Sequence, residues 1–261
     1  MGNSVTEPTK FSLPSNFNWQ LWVDRWDRMQ ERYLVRRKER FAVMASLIQT
    51  TQPSQCRILD LGCGPGSTMY HLLKSLPEAQ IFGIELDLTI LALAEPRLKK
   101  FGERAKLIHA DLRHPDWYHD IQQLPINAVV SATTLHWFNE QEQAKLYKQI
   151  AHVLSSGGIF LNADHVPNSL PSIQQYWESH REKMRKEEGY TDADNWDGFR
   201  KAYSEALGID PAAIQKSLLG EWKGVELPLA WHFDHLRASG FIKLDCYWRI
   251  DCDAVYGGIR K

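Results

Sequence analysis

The sequence predicts an α/β protein built on a doubly wound, mostly parallel sheet of seven strands, with the last strand antiparallel. Three observations carry this expectation. Between residues 57 and 163, short apolar runs of strand length alternate with segments whose apolar residues recur every three or four positions. The first run ends in a glycine-rich bend that opens a helix. Two more apolar runs follow further on, near enough to each other to form a hairpin.

Residues 1–18 are polar, contain Pro8 and Pro14, and read as a flexible tail. Residues 19–53 carry Trp22, Trp26, Met29 and Tyr33, then Phe41, Met44, Leu47 and Ile48, at helical spacing. Arg36, Arg37 and Lys38 interrupt that stripe, so two helices with a break are expected, closed by Pro53. A strand over 57–61 leads through the bend into a helix over 67–75. Strand 80–84, helix 88–100 and strand 106–109 follow, then strand 126–131 and helix 140–154. Ser155, Ser156, Gly157 and Gly158 read as a turn before a fifth strand over 159–163. Such alternation implies right-handed crossovers, with residues 54–165 as the core. Residues 166–228 are rich in charge and aromatics without a clear strand, and read as a helical cap inserted over the substrate side. Residues 229–261 supply a last helix over 231–239, stopped by Gly240, and closing strands over 241–249 and 254–259.

Composition narrows the function. The chain has 261 residues, 43% hydrophobic and 24% charged, as an ordinary globular protein does. A net charge of −1 gives no basic field for nucleic acid. No run approaches the roughly 18 apolar residues of a membrane span, and no secretory pattern is present, so a cytoplasmic protein is expected. Cys56, Cys63, Cys246 and Cys252 form no C-x-x-C pair, which argues against a zinc site or a redox dithiol and fits a reducing compartment. The first six residues match a loose N-myristoylation pattern at Gly2, for which an inert tail is the plainer reading.

The chemistry is concentrated in Ile58–Ser67. Glycines at 62, 64 and 66 let the backbone turn sharply and let a ligand approach, and the helix that follows offers free amides. Dinucleotide sites use G-x-G-x-x-G, whereas this run is G-x-G-x-G with Ser67 in the sixth position. Asp60 at the strand end would repel a pyrophosphate and suits a cationic ligand.

This run resembles the first motif of the class I S-adenosylmethionine-dependent methyltransferases, and the resemblance continues in order from about residue 55 to 165. It implies a Rossmann-like sheet that binds S-adenosylmethionine and releases S-adenosylhomocysteine. Asp60, Gly62, Cys63, Gly64 and Gly66 would cradle the cofactor. Glu85, ending Phe82-Gly83-Ile84-Glu85, would take the ribose hydroxyls, with Leu86 beside the adenine. Asp111 and Leu112 would meet the adenine. Thr133, within Ser131–Trp137, would lie under the methionine portion. In related enzymes the N-terminal helix folds over the cofactor as a lid, which implies Trp26 at the cofactor and Trp22 and Tyr33 towards the acceptor, while the fourth-strand end opens towards the acceptor at Trp137. The Leu135-His136-Trp137 element and the cap are most similar to small-molecule enzymes of the trans-aconitate methyltransferase type. Beyond residue 165 no detailed match is seen, so the acceptor does not carry over.

Methyl transfer from a sulfonium needs alignment and exclusion of water, and a hydroxyl acceptor needs a base. His136, after the fourth strand, and His165, after the fifth, are the candidate catalytic residues. For each there is a structural alternative. Asp60 and Glu85 can cap neighbouring amides, Asp111 can cap a turn, Trp26 can be core, His136 can pack on Trp137, and His165 can be a loop histidine. His232 and His235 with Asp234 read as packing or surface residues rather than metal ligands, so no metal is expected. Arg36, Arg37 and Arg40 read as a solvated face, with a grip on an acidic substrate as the alternative. The expected partner is a small-molecule methyl acceptor, through a carboxylate or hydroxyl oxygen, with no nucleic acid and no membrane. Rival readings are a non-catalytic S-adenosylmethionine-binding protein, an NAD-dependent oxidoreductase and a nucleic-acid methyltransferase. The last usually carries an Asn/Asp-Pro-Pro-aromatic tetrad where this chain has Ala132-Thr133-Thr134-Leu135.

Overall fold

The computed structural model describes residues 11–210 and 224–261. The Gly2 pattern, the first ten residues of the expected tail and residues 211–223 of the expected cap lie outside the described residues. Seven strands form one sheet: β1 (Arg57–Leu61), β2 (Gln80–Glu85), β3 (Ala105–His109), β4 (Ile126–Ala132), β5 (Leu154–His165), β6 (Phe241–Ile250) and β7 (Asp253–Arg260). Their order is β3-β2-β1-β4-β5-β7-β6, and β7 is antiparallel to both of its neighbours. The order reverses between β1 and β4, which opens the crevice at the carboxyl ends of the strands where ligands of such sheets bind.

Side chains alternate across the sheet as the pleat demands. Leu59, Leu61, Val129 and Phe160 face one core, with Leu146 and Ile150 of α5 (Glu140–Val153) and Leu236 of α8 (Leu229–Ala238). Ile58, Ile81, Ala128 and Leu161 face the other, with Met44 and Ile48 of α2 (Arg37–Thr51), Leu72 of α3 (Ser67–Ser75) and Leu91 and Ala94 of α4 (Leu88–Leu98). Each fully buried leucine contributes about 1.5–3 kcal/mol. Asp60 stands between Leu59 and Leu61 and so points to the α3 side. A third cluster joins α1 (Trp19–Tyr33) and α7 (Trp196–Leu207) to α4 through Trp22, Trp26, Met29, Phe199, Tyr203, Ile90 and Leu93.

Local chemistry sets the helix ends. Asn139 and Glu142 close a capping box on α5, and Asp87 accepts from the amides of Thr89 and Ile90 at the start of α4. The expected break between the first two helices falls at Leu34–Arg36, with Arg36 in the left-handed region at φ 52°. The helix α6 (Pro171–Glu187) buries no residue and lies on the β6–β7 hairpin, where His180 meets Asp251 at 2.7 Å and Arg181 donates to Cys252 Sγ at 3.2 Å. No helix among the described residues is long and apolar enough to cross a membrane.

Two expectations are corrected. Ser155–Gly158 is not a turn before β5 but part of it. The strand starts at Leu154, which pairs with Ile126, and the extra residues bulge at Gly157 (φ 79°) before pairing resumes at Ile159. Arg37 and Arg40 are not a solvated face. Both are buried, Arg37 against Asp27 at 2.9 Å and Arg40 against Asp253 at 2.7 Å, because residues distant in sequence supply their counter-charges.

Candidate active site

The bend after β1 is tied to β2: the amides of Gly62 and Cys63 both donate to the Ile84 carbonyl, at 2.8 and 3.0 Å. Gly62 has φ 67°, and a Cβ there would fall 2.2 Å from Thr134 Cγ2, so only glycine lets the end of β4 approach. Gly64 has φ 54°, and a Cβ there would sit 3.3 Å from Trp26 Cζ2. Trp26 therefore rests directly on the bend. The buried Cys63 thiol is pushed well up by burial and then by the carboxylates of Asp60 and Glu85. Gly66, at φ 77°, starts α3 without a side-chain cap, which leaves the first amides of that helix to a ligand.

The two acidic tips behave differently. Glu85 Oε2 accepts from the Gly64 amide at 2.9 Å, and Oε1 from the amides of Leu86 and Asp87 at 2.8 and 2.9 Å. In this conformation it is a cap that joins two loops. Asp60 is 1% exposed and neither of its oxygens makes a hydrogen bond of good geometry, although the Met69 amide lies close enough to favour its charge slightly. Burial, and then the charge of Glu85, push its pKa up to about 8. Orphaned carboxylate oxygens under a side-chain-free bend are what an ammonium-bearing ligand would satisfy, so the residues present fit S-adenosylmethionine once Trp26 withdraws. At the adenine end, Asp111 is held by Arg113 through both carboxylate oxygens, at 2.7–3.0 Å, and by its amide at 2.9 Å. The Leu86 carbonyl meets His109 Nε2 at 2.9 Å, while Leu112 is buried in the core. Thr133 lies at φ 52°, a left-handed conformation that is costly for a β-branched residue, at the tip of β4.

A row of rings crosses the carboxyl edge from the bend to β5. Trp26 and Trp196 have centroids 5.5 Å apart, Trp196 and Trp137 5.7 Å, Trp137 and His136 5.4 Å, and His136 and His165 5.9 Å. The Tyr33 hydroxyl accepts from the Trp196 amide at 3.0 Å and so positions this row indirectly. Trp22 does not join it; its ring packs on Phe17, Phe199 and Tyr203. Trp196 gave no stronger signal in the sequence than the other tryptophans outside the core.

Both candidate histidines are partnered by aspartates. His136 Nδ1 lies 2.7 Å from Asp164 Oδ1, and the His136 amide donates to Oδ2 at 3.3 Å. With Nδ1–H donated to Asp164, Nε2 carries the free lone pair. Burial opposes the charge of Asp164, yet His136 and His165 outweigh it and hold the carboxyl well below the usual range. His165 Nδ1 lies 2.6 Å from Asp253 Oδ1, an ion pair by distance with poor hydrogen-bond angles. Burial disfavours its cation, but Asp253, Cys252 and Asp164 prevail and raise its pKa to about 10. These surroundings favour the cation of His165, whose ring lies 5.9 Å from that of His136. Asp164 and Asp253 are the residues that sequence reading missed; the only signal was Asp164 standing next to His165 at a strand end.

His165, Cys252 and Asp253 bring their donor atoms within 4.8 Å of one another, close enough to chelate an ion. Arg40 on Asp253 and Arg181 on Cys252 already put cations on those atoms. His232 and His235 are taken up by packing. His232 is bonded to Tyr147 at 2.7 Å, and burial lowers its pKa to about 4, while His235 stacks on Trp231.

Comparison with known proteins bears on the domain that carries these residues. Residues 58–158 match the model of a methyltransferase domain. The chain is 29% identical over 128 residues to a malonyl-[acyl-carrier protein] O-methyltransferase of Legionella pneumophila, covering 46% of this chain and 40% of that protein. It is 30% identical over 124 residues to ribosomal RNA small subunit methyltransferase B of Escherichia coli, covering 41% and 29%. The chain thus spans less than half the length of either relative. The solved structure of an O-methyltransferase family protein from Burkholderia thailandensis shares the fold, with a TM-score of 0.54 at 16% identity over 93% of this chain and 70% of that one. Motif order, sheet topology and the matched segment agree: residues 58–158 are similar to a methyltransferase domain, set in a sheet whose fold is that of solved methyltransferases.

Proposed function

We propose that this protein methylates an oxygen of a small acceptor, with His136 as general base and Asp164 as the residue that orients it. The observation that carries the reading is the His136–Asp164 contact of 2.7 Å at the rim of β4 and β5, on the ring row that starts over the bend. When bound, S-adenosylmethionine supplies a methyl group on a positively charged sulfur that leaves neutral. Asp60 and the amides at the start of α3 would hold its amino-acid end, and Glu85, freed from its amide partners, would take the ribose hydroxyls. Trp26, displaced from Gly64, would close over the ligand and keep water out. Trp137 and Trp196 wall the acceptor side, where a flat or apolar body would pack against their faces. His136 Nε2 takes the acceptor proton, Asp164 stabilises the imidazolium that forms, and His165, already cationic, stays out of the proton transfer.

The small-acceptor reading is supported by the net charge of −1 and by the absence of the tetrad typical of base-amine methylation after β4. The test is a metabolite screen for S-adenosylhomocysteine release by the wild-type chain and by His136→Ala. The variant is expected to bind cofactor normally and to lose about 10²–10⁴ in turnover. Full activity of His136→Ala would remove the base assignment. Preferred methylation of RNA over every small hydroxyl or carboxylate would remove the acceptor class.

A further inference from the structure

Asp27 has no part in the chemistry above, yet it is among the best-bonded carboxylates in the molecule. Its oxygens accept from Ser67 Oγ at 2.7 Å, from Arg37 at 2.9 Å and from Arg97 at 2.8 and 3.4 Å. Ser67 opens α3 immediately after Gly66, and Arg97 also donates to Ser67 Oγ at 3.1 Å. The preceding residue, Trp26, is the one that rests on Gly64. One turn of α1 thus both covers the cofactor bend and fastens itself to the helix that the bend begins.

The rest of α1 is held differently. Its apolar face rests on Ile90, Leu93, Phe199 and Tyr203. Its basic residues reach the segment before α7: Arg25 pairs with Asp194 at 3.0 Å, Arg28 with Asp192 at 2.6 Å, and Arg32 donates to the carbonyls of Thr191 and Ala193. On its other flank a cavity of about 330 Å³, lined by Trp19, Val23, Tyr70, His71 and Lys100 as well as Asp27, separates α1 from α3 and the end of α4. On that flank Asp27 reaches Ser67 and Arg97 beside the cavity it helps to line.

We propose that Asp27 is a positioning residue that latches α1 over the bend, so that adenosyl ligands enter and leave only when its bonds to Ser67 and Arg97 open. The inference rests on the cofactor reading given above. Burial opposes the charge of Asp27, but Arg37 and then Arg97 outweigh it and hold the pKa down at about 2, so the latch does not switch with pH in the physiological range. Arg37 lies on α2, which packs on the core, so its bond to Asp27 has to open together with those to Ser67 and Arg97. With the latch open, Trp26 can swing off Gly64 and release the Gly64 amide and Glu85 to a ligand.

The test uses the whole chain, S-adenosylhomocysteine as probe and stopped-flow tryptophan fluorescence. Asp27→Asn keeps the shape and removes the charge that binds both arginines. Its association and dissociation rates should each rise at least tenfold, because hydrogen bonds to a charged group are worth more than one such factor. Hydrogen exchange should accelerate in residues 19–33 and stay unchanged in residues 140–153. Unchanged rates together with unchanged exchange in α1 would overturn the latch. If the wild-type chain binds no S-adenosylhomocysteine, the cofactor reading fails, and the exchange comparison still decides the latch. Should Asp27→Asn not fold, Ser67→Ala removes one donor and no charge, and the same acceleration, smaller in size, is required of it.

Discussion

Replacing Asp60 with asparagine sets the needs of the ligand against those of the fold. In the folded chain the carboxyl is 1% exposed, and burial with the nearby Glu85 raises its pKa to about 8 from an ordinary 3.8. Folding therefore takes up a proton between those two values. A raised carboxyl pKa means that the stability is whole below pH about 4 and is lost progressively as the pH climbs to about 8. Each pH unit costs about 1.4 kcal/mol, so over roughly three units the loss at pH 7 is about 4 kcal/mol. Asparagine fills the same volume and does not ionise. Asp60→Asn should unfold at a higher temperature than the wild type at pH 7, by an amount of the order of 10 °C, with the gap closing towards pH 4. Thermal melts of both ligand-free chains across pH 4–8 measure this, and the difference between the curves removes the contribution of other titrating groups. The same variant should lose S-adenosylhomocysteine binding in calorimetry. A variant that melts below the wild type at pH 7, or a gap that does not change with pH, would mean that Asp60 is ionised and anchored in the free protein, and the reasoning would fail.

Other outcomes follow from the same geometry. Uptake of S-adenosylhomocysteine at pH 7 should release about 0.9 proton as Asp60 ionises against the ligand ammonium, since a group with a pKa of about 8 is mostly protonated there; calorimetry in buffers of different ionisation enthalpy reads it, and a zero slope refutes it. Gly64→Ala places a methyl 3.3 Å from Trp26 at φ 54° and should cost about 1–2 kcal/mol of stability by denaturant titration, with no loss at all counting against the close approach of Trp26.

The sheet was legible because its strands are short apolar runs separated by turn chemistry, and that signal is local. The bend was legible for a similar reason: Asp60, Gly62, Gly64, Gly66 and Glu85 lie within two strands and one helix. The Ser155–Gly158 segment misled because two serines and two glycines have turn composition, while the pairing of Leu154 with Ile126 that draws them into β5 is a tertiary fact. Arg37, Arg40, Asp27, Asp164 and Asp253 were opaque for one physical reason. A buried charge is defined by its partner, and these partners lie 10 to 213 residues away in the chain. Periodicity reports which face of an element is apolar, but not which opposite charge will arrive there. The place of His136 after β4 was readable in the sequence, whereas the aspartate at its Nδ1 needed coordinates.

The position of β7 bears on how the protein is made. Synthesis produces β6 before β7, yet in the finished sheet β6 hydrogen-bonds to β7 and not to β5. Until β7 emerges from the ribosome, β6 has no neighbour to join and β5 keeps a bare flank, both open to pairing with another nascent chain. The five parallel strands, with the glycine bend among them, can assemble earlier.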